Sequence, residues 1–154
     1  MPGSLPRTAI VLLALLCLPS AATAGPLQRV EKLIADARYE DAATVARKWL
    51  ERNAEAEEAA LMIAQLAEAE YQRLMAAPAV ARAQAWRGEF PDHPRRGDVD
   101  SLEANLGLYA AAEAGTEQAY LAVADAWSGT AAAREARLRA EALGFRSAAA
   151  DGSA

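Results

Sequence analysis

Apolar residues return at helical spacing along this chain from about residue 27 onward, and polar breaks divide them into seven segments. In Leu27–Ala37, the residues Val30, Leu33, Ile34 and Ala37 share one face, the signature of a packed amphipathic helix. Arg38-Tyr39 makes a turn, and Glu40 and Asp41 place negative charge in the first turn of a second helix, where the helix dipole favours it. Its stripe is Ala42, Val45, Ala46, Trp49 and Leu50. Asn53 is expected to cap a third helix that runs to about Met75, with Ala59, Met62, Ile63, Leu66 and Leu74 apolar. Pro78 is expected to open a fourth, striped by Val80, Ala83, Trp86 and Phe90. The run Phe90-Pro91-Asp92-His93-Pro94 breaks the pattern. A fifth helix then spans about Pro94 to Glu113, with Val99, Leu102, Leu106 and Tyr109. Gly115-Thr116 closes it and caps a sixth, carrying Tyr120, Val123, Ala124 and Trp127. Beyond Ser128-Gly129-Thr130 a seventh extends from Ala131 to about Ser147, and 148–154 reads as a flexible tail.

The segments repeat. At offsets of 40 and then 37 residues, Leu50 matches Phe90 and Trp127, Ala59 matches Val99 and Ala136, and Leu66 matches Leu106 and Leu143. Ala67 matches Gly107 and Gly144, so a small residue follows a leucine in every copy. A period of this length is that of stacked helical hairpins. A glycine inside a helix costs about 1 kcal/mol relative to alanine, and its recurrence argues for a close approach by a neighbouring helix. The expected fold is all-α: a right-handed stack of three antiparallel hairpins with the odd, charge-rich seventh helix as a cap.

Composition supports helices. Hydrophobic residues make up 53% of the chain and aromatics only 6%, a balance suited to close helix packing and not to a sheet sandwich. The N-terminus belongs to a different class of segment. Arg7, the apolar run Ala9–Leu18 and the small residues Ala22-Thr23-Ala24 are the three parts of a secretory signal peptide, which gives 1–24 as signal and 25–147 as the folded domain. The apolar run is shorter than the roughly 20 residues a membrane-spanning helix needs. Cys17 follows Leu16 where a lipoprotein signal would have a small residue, and it is the sole cysteine. The processed chain therefore has no disulfide or thiolate metal site. It retains 15 basic and 21 acidic residues, a net charge of −6, and a mildly acidic chain has no electrostatic reason to bind nucleic acid.

Leu106-Gly107, followed by Thr116-Glu117-Gln118-Ala119, resembles the tetratricopeptide repeat, in which a Leu-Gly pair marks the first helix of a hairpin and a small residue opens the second. Tyr39-Glu40-Asp41-Ala42 resembles the start of such a second helix. The Phe90–Pro94 link and Trp127–Ala131 resemble looser members of the family in bacterial envelope assembly factors. The resemblance covers Leu27–Ser147 as a pattern. It departs from the family where Ala60, Glu103 and Ala140 stand near the usual first-helix tryptophan, and Ala54 and Ala131 at the closing proline. The link after Leu66 is three residues longer than that after Leu106, so distortion is expected in the middle hairpin.

Chemistry is scarce. His93 is the single histidine and lies in a proline-rich turn, with no partner residues for a catalytic base or a zinc site. The acidic group Glu55, Glu57, Glu58, Glu68 and Glu70 lacks the Glu-x-x-His pattern of a bundle metal site. No phosphate-binding glycine loop or nucleophile triad is present. The chain reads as a non-enzyme with no cofactor. Trp49, Trp86 and Trp127 lie on apolar stripes and are assigned to the core.

Stacked hairpins bind on the face lined by the first helix of each pair. Counting from Leu66, Leu106 and Leu143 as buried, that face carries Leu61, Glu68 and Tyr71, then Ser101, Leu108 and Ala111, then Leu138, Phe145 and Ala148. Tyr71, Leu108 and Phe145 would offer apolar surface there. The function expected is an exported, periplasmic or secreted, adaptor that holds a peptide or helix of a cell-envelope partner. The alternative is a helical carrier of a lipid or another apolar ligand.

Overall fold

The computed structural model describes residues 25–150 and 152. The expected signal segment, 1–24, lies outside the described residues, as do residues 151, 153 and 154 of the expected tail. The described chain is all-α, with helices α1 (Pro26–Ala35), α2 (Tyr39–Asn53), α3 (Ala59–Ala76), α4 (Val80–Glu89), α5 (Arg96–Ala114), α6 (Glu117–Ala126) and α7 (Ala131–Ala150). Consecutive helices pack on one another throughout, α2 on α3 and α6 on α7 most extensively and α3 on α4 least. The sequence repeat divides them as hairpins α1/α2, α3/α4 and α5/α6, with α7 left over.

The helix ends follow local chemistry. After α1 the chain turns through Ala37 at φ 56°. The Arg38 amide donates to the Leu33 carbonyl and the Ala37 amide to Ile34, the bond pair of a Schellman turn. Thr116 caps α6, its hydroxyl accepting from the Ala119 amide at 3.2 Å after Gly115 turns at φ 64°. Thr130 does the same for α7 through the Ala133 amide. Asn53 does not cap α3 as expected. It is the last residue of α2, and its side-chain amide bonds back to the Trp49 carbonyl. That internal bond removes it from service as a cap, and 54–58 become a turn before Ala59. Pro78 likewise precedes α4 by two residues instead of opening it, and α7 runs three residues beyond Ser147.

Two apolar cores form. The larger joins α1 to α4 and reaches Val99 of α5, with Val30, Met62, Leu74 and Val99 fully buried. The smaller joins Ala111 of α5 to Tyr120, Val123 and Ala124 of α6 and to Ala136 and Ala140 of α7. First helices touch at the two ends of the stack, α1 with α3 and α5 with α7, but α3 and α5 make no backbone contact. In the middle, polar groups bridge instead: the Arg95 guanidinium meets Glu68 at 3.0 Å and the Tyr71 hydroxyl reaches Asp98 at 3.4 Å. First helices thus pack less evenly at the middle of the stack than at its ends.

Gly107 and Gly144 both face α6. A Cβ on Gly107 would sit 3.6 Å from Val123, and one on Gly144 would sit 3.5 Å from the Glu117 carboxylate. These are ordinary contact distances, so the neighbour does not require glycine. Gly107→Ala is therefore expected to stabilise the fold by about 0.5–1 kcal/mol through helix propensity alone, measured as a shift in the urea midpoint.

Candidate functional site

The most apolar depression lies between α2 and α4, the second helices of the first two hairpins. These two helices make no backbone contact, and the gap between them opens over α3. Leu50 of α2, Ile63 and Leu66 of α3, and Phe90 after α4 line one recess of about 410 Å³. A second recess of about 320 Å³ is lined by Ala60, Ala64 and Ala67 of α3 and by the Phe90–Pro94 segment. The two share Ile63, Glu89 and Phe90, so they form one groove.

Local sequence explains the groove. Ala60, Ala64 and Ala67 follow i, i+4, i+7 spacing and share one side of α3. Three methyl groups in a row cannot fill the space under the crossing segment. Phe90 ends α4 and folds inward, with its ring 5.6 Å from that of Trp86 and almost no surface open to water. Trp86 in turn donates its indole N–H to the Ala67 carbonyl at 3.0 Å. His93 contacts the Trp86 ring edge-on at 5.2 Å, and its Nδ1 accepts from the Arg95 amide. The histidine therefore shapes the turn. Ile63, with 48% of its surface exposed, is the most open apolar wall.

One edge of the groove is an ion pair. Arg47 holds Glu89 through two hydrogen bonds, one of 3.0 Å, and Glu70 through a third. The Glu89 hydrogen bond, working against partial desolvation, raises the Arg47 pKa above its ordinary value. A smaller recess of about 220 Å³ on the far side of this pair contains Arg73 and Arg82. Arg73 is paired with Glu40 and Glu70, and Arg82 donates to the Ala77 carbonyl. Arg47 and Arg73 are thus paired with carboxylates, and Arg82 is held by a backbone carbonyl. Among the described residues no cluster of His, Cys, Asp or Glu could hold a metal ion.

The residues expected to form a binding face are dispersed. Leu61 is exposed on α3, but Ile63 lies two residues on, about 200° around the helix. The groove is therefore on the opposite side of α3 from the expected face. Glu68 is half-buried against Arg95. Tyr71, expected on the open face, is a correction: it is buried, with its ring 6.1 Å from Trp86 and the Arg95 guanidinium stacked over it at 4.6 Å. Arg95 and Asp98, at the start of α5, close over Tyr71. Ser101 is exposed, its hydroxyl donating to the Gly97 carbonyl. Leu108 is half-buried against the second core, and Ala111 is buried in it. Leu138 and Phe145 are 62% and 78% exposed on α7, and Ala148 is exposed beyond them. None of the nine lines the groove.

Ile63 and Phe90 carry the site that the pattern assigned to core stripes. The available signal was the alanine row of α3 facing a proline-broken segment. Comparison with known proteins finds no matching family model, no matching curated protein and no matching solved structure.

Proposed function

We propose that this chain is a non-catalytic, tetratricopeptide-like adaptor that seats an apolar-anchored peptide or helix of another protein. The groove between α2 and α4 carries the reading, because it is apolar along its floor, polar along its rim and open along one side. Such a shape suits a segment with a few buried anchors and solvated flanks. The hairpin order and the contacts α1–α3 and α5–α7 support the repeat reading. The three-part N-terminal segment supports export, which would place the partner in the cell envelope. No helix among the described residues is long and apolar enough to cross a membrane.

The test is selection of a displayed peptide library on the immobilised protein, followed by titration of the best binder. Ile63→Glu is expected to weaken that binder at least tenfold, about 1.4 kcal/mol, with the helical circular dichroism unchanged because Ile63 is half-exposed. Groove binding unaffected by this change would overturn the proposal. So would tight uptake of a fluorescent apolar probe that lipid displaces, which is the expected result for a carrier.

A further inference from the structure

The outer side of α7 has no neighbouring helix among the described residues, yet it is not polar. Leu138 and Phe145 project from it, seven residues apart, which is two turns or about 10.5 Å along the axis. Both are far more exposed than a terminal helix needs for solubility. Around them Arg134, Arg137 and Arg146 enter no ion pair among the described residues, whereas Arg139 is occupied by Glu135 and stacks on Tyr120. Glu141 is the one free carboxylate on this surface, so the face is apolar with a net positive border.

The groove between α2 and α4 has the opposite border. Glu51 and Asp92 stand beside its lining, and Glu57 and Glu58 lie in the turn leading into Ala60. None of these four carboxylates is in an ion pair among the described residues. Lys48 and Arg52 lie further around α2, off the side that carries Arg47 and Leu50.

We infer that α7 of one copy docks into the α2–α4 groove of a second copy, with Leu138 and Phe145 as anchors and the arginines set against the acidic rim. Two anchors two turns apart face two adjoining recesses, and the charges on the two surfaces are complementary. The contact joins unlike surfaces, so each copy keeps one free donor and one free acceptor. Such a contact propagates into an open chain or closes into a ring. The inference rests on the groove reading proposed above and names a helix of this same chain as an occupant.

Sedimentation of the full chain over a concentration series tests it. The average mass is expected to rise at least twofold above the monomer and to fall back as salt screens the charged border. Phe145→Glu and Ile63→Glu, both at exposed positions, are each expected to remain monomeric with unchanged melting. Mixed one to one, they should form a dimer, because the first keeps a working groove and the second keeps a working α7. A wild-type chain that is monomeric at every concentration overturns the inference, as does self-association that survives Ile63→Glu. Selected peptides that bind the groove of a monomeric wild type would sink this inference alone. Peptide binding indifferent to Ile63→Glu would remove the groove reading as well.

Discussion

Trp86→Ala is expected to lower stability by about 3–5 kcal/mol, the range for deleting a large buried aromatic. Trp86 sits where the first core meets the groove. Its ring contacts Tyr71 at 6.1 Å, Phe90 at 5.6 Å and His93 at 5.2 Å. Its N–H holds the Ala67 carbonyl within the sequence position that repeats as a small residue. Alanine would leave a cavity among three rings and remove the second hydrogen bond on the Ala67 carbonyl, and helix α4 cannot collapse onto α3 without moving Phe90. Against a usual total of about 5–15 kcal/mol, this is a large share. In thermal melts of a domain this size the midpoint should fall by roughly 10–20 °C. Trp86→Phe keeps an aromatic ring but loses the hydrogen bond and part of the indole volume, at a cost of about 1–2 kcal/mol. Equal losses for both variants would mean that the ring packing contributes little.

The second large effect is expected at the only buried charge among the described residues, Glu103, which is 6% exposed. Its carboxylate accepts from Arg87 at 2.8 Å and from Gln84 at 3.0 Å. The Arg87 guanidinium also meets Asp100 at 2.9 Å and lies 5.4 Å from the centre of the Trp127 ring. Arg87 thus ties α4 to α5 and reaches the end of α6, across the boundary between the two cores. The Glu103 hydrogen bond dominates the upward shift of the Arg87 pKa. Arg87→Ala strands a carboxylate away from water. The cost expected is about 2–4 kcal/mol, somewhat below that of a fully buried pair because the Arg87 side chain keeps 29% of its surface in solvent. Replacing Arg87 and Glu103 with methionine should recover much of that loss, since the most buried carboxylate is then gone, while Asp100 keeps Arg96 at 3.8 Å. A double-mutant cycle in urea measures the coupling. A double variant no more stable than Arg87→Ala would show that packing, not the stranded charge, sets the cost.

The same two residues explain why the sequence pattern succeeds for most of the fold and fails at the site. Stripes such as Val30-Leu33 or Tyr120-Val123-Ala124 are read correctly because one helix buries one face whatever its neighbour is. Glu103 breaks this rule: it is buried by an arginine 16 residues away. Nothing in a local window announces such a pairing. Tyr71 fails for a related reason. Its place on α3 follows from Leu66, but Arg95 and Asp98 at the start of α5 close over it. The acidic group also divides in three dimensions. Glu68 and Glu70 are taken by Arg95, Arg47 and Arg73, whereas Glu57 and Glu58 stay free.

The amino-acid order alone determined the number of helices, the hairpin order, the turn at Phe90–Pro94 and the small residues that recur after each leucine. These depend on propensity, periodicity and capping, which act within a few residues. Tertiary structure decided which side of α3 is open, that α2 and α4 stand apart, and that Leu138 and Phe145 are largely exposed among the described residues. Those outcomes depend on the angle between successive hairpins. A three-residue difference in one link is enough to change that angle, and only packing across the whole chain resolves it.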